Sequence, residues 1–191
     1  MQEWFALVSG VIVLAGAPFY LYDIVKGTTK PHRITWLIWS VQGVVAFTSQ
    51  ALLGGHWSLV YIGLEAAGNI VVFLLSLHYG VGGWARIDKL ALLIALVGVI
   101  VSVIARRPVI AIAGVIMSDL AGIALTLRKV YKQPGSETAI TWLALGTASL
   151  LSAFAVGRWS PSLLLYPVYL AVSCYAVLFV MLTRRTLRPK S

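Results

Sequence analysis

Seven apolar runs, each near the length of one membrane crossing, leave this chain few folds to choose from. They span about residues 4–24, 34–53, 57–78, 89–105, 108–128, 138–157 and 161–183. A bilayer core of about 30 Å takes roughly 20 apolar residues per helix. The gaps between the runs are too short for a soluble domain. The chain is 60% hydrophobic and only 11% charged. Soluble domains carry about a quarter charged residues, so the solvent for most of this chain is expected to be lipid. In lipid each backbone N–H and C=O must be satisfied within the protein, which favours helices for apolar runs of this length. The expected fold class is an all-α membrane protein with seven transmembrane helices.

The net charge of +9 would suggest nucleic acid in a soluble protein. Here the basic residues sit in the gaps and report topology instead. Lys26, Lys30, Arg33, Arg86, Lys89, Arg128, Lys129, Lys132, Arg184, Arg185, Arg188 and Lys190 fall on one side; Arg106, Arg107 and Arg158 fall on the other. The positive-inside rule then places the N-terminus outside and the C-terminus in the cytoplasm. Nucleic acid is not an expected partner; membrane lipid and a small molecule are. One cysteine, Cys174, and three scattered histidines, His32, His56 and His78, make no disulfide framework and no metal motif, and no cofactor is expected. The first residues, Met1 to Trp4, lack a basic signal region, so the first apolar run is read as retained. Most tryptophans, including Trp36 and Trp142, are read as interfacial anchors.

The chain repeats itself. Ile34-Thr35-Trp36-Leu37 returns as Ile140-Thr141-Trp142-Leu143. A basic turn precedes each copy and an apolar run follows it. Trp57-Ser58 in one half answers Trp159-Ser160 in the other, and each is followed by a run containing a tyrosine, Tyr61 or Tyr166. The matching order implies an internal duplication. The expected organisation is 3+1+3: a first three-helix repeat over 1–83, a linker helix over 84–107 that is almost wholly aliphatic, and a second repeat with a basic tail over 108–191. The copies are four helices apart and therefore parallel, an arrangement that builds a midplane site between repeats.

Polar side chains concentrate at that depth. With a rise of about 1.5 Å per residue, Glu65 and Asn69 lie about 12 and 18 Å below the outer end of helix 3, on one face. Asp119 lies about 16 Å below the outer end of helix 5. Gln42 on helix 2 and Ser173 and Cys174 on helix 7 share the layer, and Tyr169 joins Ser173 in one stripe. Asn69, Cys174, Gln42, Ser173 and Tyr169 are the candidate substrate contacts. A carboxylate at the bilayer centre costs at least about 2.5–3.5 kcal/mol. Glu65 and Asp119 have no lysine or arginine at their level in sequence, which makes them candidates for proton coupling; interhelical hydrogen bonding is the structural alternative. Pro18 removes a backbone hydrogen bond from helix 1 and marks a candidate hinge.

With these features in place, the sequence resembles the PQ-loop and SWEET (MtN3/saliva) superfamily of seven-helix transporters over nearly its whole length. Pro18 followed by Lys26-Gly27-Thr28 is similar to that family's helix-1 pattern, although Phe19 stands where glutamine is usual. Asn69 falls where sugar-transporting members carry a substrate-binding asparagine, and Cys174 aligns opposite it in the second repeat. The turn from Lys30 to Trp36 also resembles a bacterial group of seven-helix proteins with a K-P-H/N-R-x-T-W turn. The resemblance implies a transporter or facilitator of a small polar metabolite, sugar or amino-acid-like, in a bacterial plasma membrane. The alternative from the same superfamily is a receptor or sorting protein that binds ligand without moving it. The enzyme class is set aside: the chain has no G-x-S-x-G, no H-E-x-x-H and no cysteine pair, and helix 7 has no lysine for retinal within 161–183.

Overall fold

The computed structural model describes residues 2–52, 57–155 and 161–186. They form seven α-helices: α1 Gln2–Val25, α2 Arg33–Leu52, α3 Trp57–Tyr79, α4 Arg86–Ile104, α5 Pro108–Lys132, α6 Ala139–Ala155 and α7 Pro161–Thr186. The fold is all-α, with one isolated parallel bridge from His32 to Val81 among the described residues. The helices follow the apolar runs to within a few residues. The side chains of Trp57, Ser58 and Tyr61 lie outside the described part, as do His56, Arg158, Trp159, Ser160, Arg188 and Lys190 altogether.

Four helices hold stretches long and apolar enough to cross a membrane: Glu3–Val25, Arg86–Ile104, Val109–Lys132 and Leu164–Thr186. Of the other helices, α6 is described over 17 residues, and α3 runs over 23 residues with its side chains described over Gly63–Tyr79. Helix α2 is long enough, but Thr35, Ser40, Gln42 and Thr48 dilute its apolar character.

Local chemistry explains where the helices begin and end. Pro108 and Pro161 open α5 and α7, where the missing N–H costs nothing. Helix α1 stops at a left-handed Gly27, φ 77°, and the N–H groups of Thr28 and Thr29 both return to the Asp23 carbonyl at 3.0 Å. Helix α4 starts under Asp88, whose Oδ2 accepts the N–H groups of Gly83 and Ala85 at 3.1 and 3.2 Å.

Contacts divide the chain into two compact units. Unit 1 comprises Met1–Thr29 and Thr126–Ser191; unit 2 is Lys30–Leu125. These spatial units and the sequence repeats are different divisions of the chain. In unit 1, α1 packs on α6 and α6 on α7. Gly16 is where α1 comes closest: a Cβ there would stand 3.2 Å from that of Ala144. In unit 2, α2 packs on α3 and α4. Its core joins Ile34 and Ile38 of α2, Ala91 and Ala95 of α4, and Ala121 and Leu125 of α5. The linker helix is therefore not bland all round. Its face through Leu90, Leu93, Val97 and Ile104 is exposed, while Ala91, Ala95 and Gly98 are buried.

Candidate functional site

Unit 2 holds four of the expected site residues, and three helices bring them there. Gln42 of α2 reaches α5 by donating Nε2–H to the Val115 carbonyl at 3.5 Å. Asn69 of α3 reaches α2 by donating Nδ2–H to the Trp39 carbonyl at 3.4 Å. Both bonds are long, so both amides hold their positions loosely. Gly43 makes the approach of α3 possible, since a Cβ there would meet Ala66 at 3.0 Å. Asp119 is buried on α5, one helical turn beyond Val115. Gln42 Oε1 is buried with no hydrogen-bond partner among the described residues.

The face of α3 carrying Glu65 and Asn69 is graded. Glu65 is exposed, Asn69 is half-buried, Val72 is buried and Ser76 is sealed completely. Burial thus deepens along the helix toward the end where the basic gap Arg86 to Lys89 follows. A polar molecule reaching Glu65 would meet the carboxyl group first and the Asn69 amide one turn deeper. The chemistry on offer is hydrogen bonding and proton exchange. Among the described residues no group of three His, Cys, Asp or Glu side chains is placed to hold a metal ion.

The remaining expected residues belong to unit 1. Ser173 and Cys174 are buried on α7 and Tyr169 is half-buried, with its ring centroid 6.3 Å from that of Tyr166. Tyr175 turns toward α6, its hydroxyl 3.1 Å from that of Thr147. Pro18 is exposed within a continuous α1. An open apolar hollow of about 410 Å³ lies along α7 at Leu164, Leu165, Val168, Tyr169 and Val172. It holds none of the polar candidates except Tyr169, and its exposed valines suit lipid chains better than a polar ligand.

Two charged clusters at the basic ends of the helices escaped the reading from sequence. In unit 1, Glu137 is buried in the turn before α6. Its carboxylate accepts from Tyr20 Oη at 2.9 Å and Trp142 Nε1 at 3.1 Å, and pairs with Lys129 Nζ. Its carbonyl accepts from Arg185 Nη2 at 3.2 Å, while Arg185 Nε donates to the Pro134 carbonyl at 2.9 Å. Trp142 is thus a buried hydrogen-bond donor, 3% exposed, where the sequence suggested an interfacial anchor.

In unit 2, His32 Nε2 lies 3.6 Å from Asp88 Oδ1. Arg33 donates from Nε to the Ser76 carbonyl at 3.0 Å and from Nη1 to the Gly82 carbonyl at 2.7 Å. These contacts fasten the loop after α3 to the start of α2. The signal available in sequence was the K-P-H-R turn itself, with Gly82 and Asp88 downstream. Comparison with family models, with curated proteins and with solved structures finds no match for this chain.

Proposed function

We propose that this chain is a membrane transporter or facilitator of a small polar metabolite, of the PQ-loop and SWEET kind that its sequence resembles. In this reading all seven helices cross the bilayer, in the 3+1+3 order, with the basic turns on the cytoplasmic side. Gln42 and Asn69 contact the ligand in unit 2; Tyr169, Ser173 and Cys174 are the corresponding candidates in unit 1. Glu65 and Asp119 exchange a proton during the cycle, and Pro18 lets α1 bend.

One observation carries the proposal. Gln42, Asn69 and Asp119 come from three helices, and the first two bridge to a neighbouring helix by long, weak hydrogen bonds. Asp119 is buried, and a carboxyl group buried at this depth is costly, which favours a working site. The unpaired Gln42 Oε1 leaves an acceptor for a ligand hydroxyl or ammonium group.

The test has two arms. Purified protein is screened by thermal shift against sugars, neutral, acidic and basic amino acids, and nucleosides, at pH 5.5 and 7.5. A ligand that binds the folded form raises the melting temperature by mass action, about 2.7 kcal/mol at a hundredfold excess over Kd. The hit is then followed for uptake into proteoliposomes. Binding with uptake supports transport. Binding without uptake supports the receptor reading, and no binding across the panel removes the metabolite reading.

A further inference from the structure

The junction of α2, α4 and α5 in unit 2 buries more oxygen than its hydrogen bonds use. Two contacts fix α2 against α5 here. The Thr35 hydroxyl donates to the Gly122 carbonyl at 3.1 Å, and Gln42 Nε2 donates to the Val115 carbonyl, two turns earlier along α5. Between them Trp39 lies directly on Gly122, where a Cβ would stand 2.9 Å from its Nε1. In an α-helix the carbonyl of one residue points at the turn that holds the residues three and four further on. The Val115 carbonyl therefore points at Ser118 and Asp119, and the Gln42 amide is held at that turn. Ser118 has no exposed surface, and its Oγ, like Gln42 Oε1, has no hydrogen-bond partner among the described residues. Asp119 is buried next to it in the chain. From the third side α4 closes the junction, since a Cβ on Gly98 would lie 2.7 Å from Ser118 N.

We propose that this junction binds a sodium ion through Gln42 Oε1, Ser118 Oγ and a carboxylate oxygen of Asp119. The donor set decides the chemistry. All three ligands are hard oxygens, which suit alkali and alkaline-earth cations better than the transition metals that nitrogen and sulfur hold. One carboxylate balances one positive charge. A monovalent ion therefore leaves the buried site neutral, whereas a divalent ion would leave it charged inside an apolar bundle. Ser118, pressed against the α4 backbone, keeps the junction small, which favours sodium over potassium. A buried oxygen without a partner is a standing cost, and one cation offsets two such costs together. The Gln42 oxygen has two lone pairs, so it can face the ion and still accept from a ligand. Sodium and the proton proposed for Asp119 are then alternatives at one carboxylate. The inference shares Gln42 and Asp119 with the metabolite reading but goes beyond it, and its readout needs no metabolite.

Thermal unfolding of the purified full-length protein tests it, in NaCl, KCl and choline chloride at one ionic strength and without metabolite. Sodium at a tenfold excess over Kd should raise the melting temperature by about 3–6 °C over choline, and the rise should saturate with concentration. Ser118→Ala deletes an oxygen that holds nothing else among the described residues. Its melting point in choline should stay near that of the parent, while the sodium midpoint rises at least about tenfold, the usual loss for even an outer-shell partner. Asp119→Asn should abolish the sodium effect; should that variant fail to fold, Ser118→Ala decides. Ser136→Ala in unit 1 is the control. Its Oγ is also buried without a partner among the described residues, and its loss should leave the midpoint unchanged. A melting point no higher in NaCl than in KCl or choline chloride, as expected if these oxygens hold only water, would overturn the site. So would a sodium midpoint that Ser118→Ala moves no more than Ser136→Ala does. A metabolite hit with no sodium effect would remove the site and keep the transport reading; a sodium effect with no metabolite hit would do the reverse.

Discussion

Alanine at Gly98 or Gly114 should cost far more than one methyl group suggests. Within unit 2 these glycines stand where α4 meets α5. A Cβ on Gly98 would lie 2.6 Å from the Gly114 carbonyl oxygen and 2.7 Å from Ser118 N. A Cβ on Gly114 would lie 2.6 Å from the Gly98 carbonyl oxygen and 2.6 Å from Ser102 N. Ordinary contact begins at 3.4 Å, so the two backbones must part by about 0.8 Å. A gap of that size forfeits a quarter to a half of each dispersion contact along the crossing. Overpacking of this kind costs about 1–3 kcal/mol, and alanine recovers about 0.5–1 kcal/mol as the better helix former. Mid-values of these ranges leave a net loss of about 1 kcal/mol, or roughly 2–4 °C in melting temperature for a chain of this size. Gly10 of α1 is the control, with nothing within 4 Å of its added Cβ. There the same substitution should stabilise by about 0.5–1 kcal/mol. The double variant should cost less than the sum, because either methyl forces the same separation. Thermal unfolding of the purified protein reads all four. A Gly98→Ala melting point equal to that of Gly10→Ala, or strictly additive losses, would refute the account.

Other substitutions probe the loop clasp, the buried pair and the proposed site. Gly82→Ala meets two penalties, since Gly82 has φ 84° and its Cβ would sit 2.5 Å from His32 Nε2; unfolding measurements should show a loss of about 2–4 kcal/mol. Lys129→Met alone should cost about 3–5 kcal/mol by stranding Glu137, while Lys129→Met with Glu137→Gln should recover part of it; a double variant no better than the single would argue against the pair. Asn69→Ala should abolish the ligand-induced thermal shift while the ligand-free melting point moves by less than about 1 kcal/mol, because its hydrogen bond is long. Glu65→Gln with Asp119→Asn should remove any pH dependence of uptake into proteoliposomes; uptake that keeps its pH profile in the double variant would end the coupling proposal.

The helices were legible because run length and hydropathy are local properties, and each helix follows its own apolar run. The ends were less so: α5 continues to Lys132 and closes through a Gln133 N–H bonded to the Lys129 carbonyl. The close approach of α4 to α5 was written in the spacing of Gly98 and Ser102, and of Gly114 and Ser118. Small residues four apart let two helices meet, but the surrounding aliphatic run masked them. The unit 1 cluster was not legible. Tyr20 and Glu137 are 117 positions apart, and counting Lys129 as a topology charge gave no hint that it is 7% exposed. Charge counting treats every lysine as solvated, whereas a partner within hydrogen-bond reach lets one be buried. Gln42, Asn69 and Asp119 could be named from depth alone, but their neighbours, the Val115 and Trp39 carbonyls, are backbone groups that no residue pattern marks.

In the proposed duplication the two copies share a burial pattern and differ in their polar groups. The graded face of α3 runs Glu65, Asn69, Val72, Ser76, and in the alignment that sets Cys174 opposite Asn69 its counterpart on α7 runs Leu170, Cys174, Val177, Met181. Burial deepens in the same direction along both: Leu170 is half-buried, and Cys174, Val177 and Met181 are buried. The two faces therefore share a burial gradient, and the polar groups Glu65 and Asn69 stand on one of them. Unit 1 has spent its own charges elsewhere, on Asp23, Lys129, Glu137 and Arg185 at the basic ends of its helices. An acid costs several kcal/mol wherever it is buried without compensation. In unit 1 hydrogen-bond donors surround Glu137 and offset that cost, as they would in a structural joint. In unit 2 Glu65 stands at the exposed start of its face, with the Asn69 amide one turn on. A carboxyl group at the open end of a face serves no structural joint, and that asymmetry is why the proposed site is assigned to the face of α3 and not to its counterpart on α7.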